Sequence, residues 1–302
     1  MTRAAALIRA GKLVAFPTET VYGLGANALD VAAVERIFLV KGRPHTSPLI
    51  VHVDSVEMAR ELALAWPAEA EALARHFWPG PLTLVLPKRG VIPDLVTAGL
   101  STVGLRAPAH PLALALIRES GVPIAAPSAN PFARLSPTTA QHVRDALGDR
   151  VDWILDGGPC TVGIESTVLS LAVSPGQLLR PGGVSQPEIE ALIGPVERAG
   201  RVENGAHASP GMHRTHYSPR TRLVIVKQGA PIPPGRGAYL WRERPSDAAK
   251  CVSMPLDAAS YAAVLYDTLH REDREGWDWI AVEELPSTPE WAGITDRLWR
   301  AS

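Results

Sequence analysis

Twice in this chain a short apolar run stops at a proline and opens into small and hydroxyl residues: LVAFPTET at 13–20 and PIAAPSAN at 123–130. Proline brings no N–H to a ladder, so each run predicts a brief strand that ends there. Thr18, Thr20, Ser128 and Asn130 then sit at strand ends, where α/β folds place their sites.

Between these two runs lies KGRPHTSPL at 41–49, with two permanent cations, two prolines and two hydroxyls. Asp30 is an N-cap type residue, and Val31, Val34, Ile37 and Phe38 follow it at helical spacing; LIVHV at 49–53 reads as a buried strand. The cations therefore fall at a helix-to-strand junction. Arg43 offers a planar fork for phosphate or carboxylate and Lys41 a compact point charge, while Pro44 and Pro48 limit the freedom lost on gripping a ligand. An anionic ligand is expected there.

The rest of the chain alternates in the same way. Asp54 with Glu57 resembles a capping box for a helix carrying Met58 and Leu62, and Pro67 starts another with Leu73 and Phe77. Leu82 to Leu86 reads as a strand, Val91 to Leu100 as irregular, and STVGLRAP as a strand that delivers Arg106. A helix runs from Pro111 to Gly121, and Ser136-Pro137-Thr138 caps another through Leu147. WILDGG, STVLSL and LLRPGG supply further strand-then-polar segments, and Ser185 with Glu188 forms a capping box. Residues 195–220 lose periodicity and read as a linker, although SPGMHRTHYSP, with His213, Arg214, His216 and Tyr217, is a specific string for a tether. Beyond it LVIV, AYLW and WIAV read as strands, and Tyr261, Leu265 and Leu269, then Ile294 and Leu298, as helices.

At 302 residues one large and one small domain are expected, with boundaries at 1–194 and 221–302. A net charge of −1 argues against a general polyanion-coating protein and leaves only local, weak RNA contact. Cys160 and Cys251 are the only cysteines, which suits a reducing cytoplasm. Arg9 and Lys12 break the apolar N-terminus, so neither a secretory leader nor a membrane span is expected. Walker A, G-x-G-x-x-G, H-E-x-x-H, G-x-S-x-G and Cys-x-x-Cys motifs are absent, and no protein metal-ligand set is expected. The remaining loops of Thr, Ser, Lys, Arg and Asn suit a polyphosphate and a small zwitterion.

In that order, FPTETVYGLGANA, KGRPHTSPLIVHV, WPGPLTLVL, VGLRAPAHP, PIAAPSAN, GIESTVLSL and LLRPGG resemble the Sua5/YrdC family of L-threonylcarbamoyl-AMP synthases over most of residues 1–190. SPGMHRTHYSP is similar to the interdomain linker of the two-domain Sua5 form, and 221–302 to its C-terminal domain. The resemblance implies an α/β fold with a twisted mixed sheet around an open cleft, plus a small Rossmann-like C-terminal domain. It implies a nucleotidyltransferase that joins L-threonine, bicarbonate and ATP, with Mg²⁺, into threonylcarbamoyl-AMP and pyrophosphate. A downstream tRNA threonylcarbamoyl transferase would take the product toward N6-threonylcarbamoyladenosine.

Carried over by position, Thr20, His52, Arg106, Ser166 and the backbone of Ala126 would hold threonine, with Arg106 on its carboxylate. Arg43, Ser47, Thr102, Ser128, Ser136, Arg180 and Tyr217 would contact ATP, and Lys41 with Arg43 would face the phosphates. Many relatives carry Asn where this chain has Ser47, which implies a shorter contact or a bridging water. The linker is expected to fold over the cleft as a lid. The alternatives are a carbamoyl transferase of the hydrogenase-maturation type and an RNA-binding module.

Overall fold

The computed structural model describes residues 1–200, 217–227 and 230–302. Most of the linker string, including His213, Arg214 and His216, and with it the lid expectation, lies outside them. The described residues form two sheets. The first contains β1 (Val14–Phe16), β2 (Gly23–Asn27), β3 (Ile50–His52), β4 (Leu82–Pro87), β5 (Thr102–Arg106), β6 (Ile124–Ala125), β7 (Trp153–Ile154), β8 (Thr167–Ser170), β9 (Gln177–Arg180) and β10 (Glu197–Arg198). They lie in the order β10-β9-β8-β4-β5-β3-β6-β2-β1-β7, with parallel and antiparallel neighbours mixed. Because β10 pairs with β9, this sheet continues past 194 to Arg198.

The helix Val31–Lys41 starts at Asp30, whose carboxylate accepts from the N–H groups of Ala32 and Ala33, and stops at Gly42 in the left-handed region. Pro111–Ser120 and Gln186–Ile193 also form where their start signals place them, the second with its Ser185/Glu188 capping box. Two caps shift. Ser55, not Asp54, receives the Met58 N–H, and Thr139, not the Ser136–Thr138 string, caps Ala140–Leu147, leaving Ser136 for another partner. Val91 to Leu100 is not wholly irregular, since Asp94–Thr97 is a short helix. GLGAN is strand β2, and its glycine has a packing reason: a Cβ on Gly25 would lie 2.7 Å from the Phe16 ring.

The second sheet contains β11 (Arg222–Val226), β12 (Gly237–Trp241), β13 (Lys250–Ser253) and β14 (Trp279–Glu283), all parallel, in the order β11-β14-β12-β13. The helices Ala258–Glu272 and Ala292–Ala301 pack on it. Strand β13, KCVS, has too little apolar patterning to be read from the sequence.

The two domains share a core. Val21, Leu135 and Ile164 of the first pack in one apolar cluster with Tyr217, Tyr261, Leu265, Tyr266, Leu269, Trp291, Ile294 and Leu298. The approach is close enough to require glycine: Gly163 has φ +79°, and a Cβ there would lie 2.2 Å from the Ala262 carbonyl oxygen.

Candidate active site

Strands β3 and β5 run parallel with His52 opposite Arg106, so both side chains arrive together at the carboxyl ends of their strands. The proline-terminated ends of β1 and β6 meet beside them, tied by the Leu24 N–H to the Pro127 carbonyl and the Ala129 N–H to the Tyr22 carbonyl, each at 2.8 Å. Together they line an open cavity.

Nine of the expected residues line that cavity: Thr20, Arg43, His52, Arg106, Ala126, Ser128, Ser166, Arg180 and Tyr217. Arg106 is almost fully buried. Its Nη2 donates to Glu19 Oε1 at 2.7 Å and to Thr20 Oγ1 at 2.9 Å, and its Nε to the Gly80 carbonyl at 3.2 Å. Thr20 is further fixed by a 2.8 Å hydroxyl contact with Thr18. Burial, reinforced by Arg106, lowers the His52 imidazole to about 3, so it is neutral at physiological pH; its Nδ1 is buried with no hydrogen-bond partner among the described residues.

Four expected residues stand one step back or aside. Lys41 does not line the cavity: its buried Nζ donates to the carbonyls of Ser128, at 2.5 Å, and Asn130, clamping the loop that presents Ser128. Burial, then the neighbouring Arg43, push its pKa well below the ordinary lysine value. Ser47 is buried behind Arg43, accepting from Nη2 at 2.5 Å, while Pro48 O accepts at 2.9 Å. Burial lowers the Arg43 guanidinium to about 10. Ser136 donates to Glu165 Oε1 at 2.5 Å. Thr102 lines a small neighbouring space with Thr83, Thr97 and apolar residues; Ile50 borders both spaces.

Reading the sequence missed two carboxylates and the contribution of the second domain. Glu165 lines the cavity, and Arg297 Nε donates to its Oε2 at 2.6 Å. Tyr266 OH lies 3.3 Å from the same oxygen. Burial works to raise the Glu165 carboxyl, but Arg297 and Arg180 outweigh it and hold it below the ordinary range. Glu19, the other missed carboxylate, neutralises Arg106. The GIEST string did display Glu165; nothing in it pointed to a partner 132 positions away. Arg180 closes the arrangement, its Nε and Nη2 donating to the Ser166 carbonyl at 3.2 and 2.9 Å.

The cavity thus gathers three arginines from separate segments, several hydroxyls and a neutral imidazole. Its one lining carboxylate is already paired. Such a surface can hold an anion chain together with an amino acid.

Known proteins resemble this chain along its whole length. Residues 6–182 match a family model, Sua5_yciO_yrdC, described as "Telomere recombination", and 184–302 match the model for "Threonylcarbamoyl-AMP synthase, C-terminal domain". The chain is similar to the threonylcarbamoyl-AMP synthase of Bacillus subtilis strain 168, at 45% identity over 321 aligned positions, covering 100% of this chain and 92% of the relative. It is 53% identical over 228 positions to the Pyrococcus abyssi synthase, covering 74% of this chain and 67% of that one. A crystal structure of P. abyssi Sua5 complexed with L-threonine superposes with a TM-score of 0.93 at 42% identity, covering 99% of this chain and 93% of the other.

Proposed function

The chain belongs to the Sua5/YrdC family, in its two-domain Sua5 form, and from that premise we propose that it condenses L-threonine, bicarbonate and ATP into threonylcarbamoyl-AMP and pyrophosphate. This is a nucleotidyl transfer, the first step toward N6-threonylcarbamoyladenosine in tRNA. The observation that carries it is the convergence of Arg43, Arg106 and Arg180 on one cavity whose carboxylate, Glu165, is neutralised from the second domain.

Arg106 takes the threonine carboxylate, its Nη1 having no protein hydrogen bond among the described residues. The deprotonated amine adds to the bicarbonate carbon, water leaves, and a carbamate forms. A carbamate oxygen then attacks the α-phosphorus; the bond from that phosphorus to the bridging oxygen breaks, and pyrophosphate departs. The nucleophile is already anionic, so catalysis rests on juxtaposition and charge neutralisation more than on a protein base. His52 suits this division of labour, because an imidazole at about 3 hydrogen-bonds a substrate far better than it removes a proton. Arg43 and Arg180 face the phosphates, and Lys41 serves them by fixing the Ser128 loop.

Magnesium would supply further shielding of the phosphates. Among the described residues no group of three or more His, Cys, Asp or Glu side chains is placed to hold a metal. The donors present, arginines and hydroxyls, fit an ion carried by the nucleotide's own phosphates and held through them by Arg43 and Arg180. No helix among the described residues is long and apolar enough to cross a membrane. A cytoplasmic site, with a tRNA threonylcarbamoyl transferase downstream, accords with the labile product.

The test is mass-spectrometric detection of threonylcarbamoyl-AMP from the purified protein, omitting threonine, bicarbonate or ATP in turn. The product is expected only from the complete mixture. Its absence there would refute the proposal.

A further inference from the structure

The second domain reaches the cavity's Glu165 through Tyr266 and, at shorter range, through Arg297. Arg297, on the helix Ala292–Ala301, is 1% exposed. Its Nε donates to the Glu165 carboxylate at 2.6 Å, its Nη2 lies 3.4 Å from the Glu165 backbone oxygen, and its Nη1 donates to the Pro181 carbonyl at 2.9 Å. Glu165 and Pro181 are the immediate neighbours of Ser166 and Arg180, two residues of the cavity wall that are bonded to each other. The guanidinium also lies 5.1 Å from the Tyr217 ring centroid, a third wall residue.

The backbone is shaped for this approach. A Cβ on Gly182 would meet the Glu165 carbonyl oxygen at 2.4 Å, and one on Gly293 would meet the Gly182 carbonyl oxygen at 3.0 Å. Glycine at both positions lets the helix come close enough for Arg297 to span the two segments.

We propose that Arg297 is a positioning residue for adenylation, holding the Glu165 and Pro181 segments together so that Ser166, Arg180 and Tyr217 keep their places against the nucleotide. The proposal rests on the synthase reading for its substrate and goes beyond it in giving the C-terminal domain a part in the active site. A simple role in domain adhesion would call for less. Much of the interface is apolar, and a buried ion pair is a poor source of adhesion compared with packed hydrophobic side chains. Without the guanidinium, Glu165 would lose the donor that offsets its burial and take up a proton nearer neutrality. Its grip on Ser136 and its field on Arg180 would change with it.

The experiment uses the full chain with Arg297→Met, Arg297→Lys and the Arg297→Met/Glu165→Gln pair. Pyrophosphate release is followed from pH 6 to 9, with calorimetric titration of a non-hydrolysable ATP analogue in parallel. Arg297→Met is expected to lower kcat/KM roughly a hundredfold, with a raised KM for ATP and a new acidic limb in the pH profile that disappears in the double variant. Arg297→Lys, which keeps the charge and loses the span to Pro181, is expected to fold and still weaken nucleotide binding about tenfold. A folded Arg297→Met with kcat/KM and its pH profile unchanged would overturn the proposal. So would Arg297→Lys with wild-type nucleotide affinity, which decides the matter if the methionine variant does not fold. If the wild type makes no threonylcarbamoyl-AMP, the synthase reading fails separately, and the calorimetric arm still tests Arg297.

Discussion

Arg106 and Glu19 form an ion pair at 2.7 Å, and the same guanidinium nitrogen donates to Thr20 at 2.9 Å. Glu19 thus fixes the plane of the fork while Nη1 keeps its donors for a ligand. In Arg106→Ala the affinity for L-threonine is expected to fall roughly ten- to hundredfold, and the orphaned Glu19 to cost about 3–5 kcal/mol of stability. Adding Glu19→Gln should recover much of the stability and none of the affinity. Threonine calorimetry and urea denaturation on the single and double variants check both halves.

Lys41→Met separates a phosphate contact from a scaffold. The lysine holds the carbonyls of Ser128 and Asn130; the Ser128 carbonyl keeps the Asn130 N–H at 3.0 Å, so the main loss is at the Asn130 acceptor, about 1–3 kcal/mol. Loss of ATP affinity should therefore come with a lower unfolding midpoint. Reduced turnover at unchanged midpoint would mean that the ammonium acts on the phosphates directly.

At the join, Gly163→Ala would drive a Cβ to 2.2 Å from the Ala262 carbonyl at a positive φ. The expected outcome is a protein whose second domain no longer seats, with a lower melting temperature and a larger radius of gyration by X-ray scattering. Turnover should fall with it, because Tyr266 and Arg297 leave Glu165 together.

A pair of imidazoles makes the same join sensitive to acid. His142 and His270 stack at 4.0 Å between centroids. Thr138 N–H donates to His142 Nδ1 at 3.3 Å, and His270 Nε2 donates to the Ser136 carbonyl at 3.0 Å, which accords with both rings being neutral. Burial, then the neighbouring His270, lower His142 to about 3, and burial lowers His270 as well. Asp267, Asp145, Asp273 and Arg274 surround the pair, with Asp267 3.4 Å from His142. Both folded pKa values lie below the unfolded value near 6.5. Their stability contribution is therefore complete above that pH and declines as pH falls toward the folded values. Between pH 7 and 5 the melting temperature should drop by roughly 2–4 °C per kcal/mol lost. His142→Gln should flatten that dependence in a calorimetric pH series.

The strand ends, the Asp30 and Ser185 caps and the helix and strand flanking the cations were legible because each depends on neighbours in sequence. Of the cavity's arginines, the residues alone marked only Arg43, beside its prolines, as an anion site; Arg106 and Arg180 came from the family resemblance. Lys41 was read as a phosphate contact, but its direction depends on a loop 87 residues away. Glu165, Tyr266 and Arg297 were illegible as a group. Arg297, in a helix with apolar positions at Ile294 and Leu298, reads as an ordinary solvated charge until the fold brings a buried carboxylate to it. Ser136 shows the same limit, reading as a cap beside Pro137 when its hydroxyl belongs to Glu165.

Val21, Leu135 and Ile164 sit in the middle of the second domain's apolar cluster. The seam between the halves is therefore not a hinge line along which a foreign module could be spliced. A replacement partner would have to match three protruding side chains and a glycine contact at once. Heat should melt both halves in a single cooperative event, and either half made alone would present a sticky face to its surroundings.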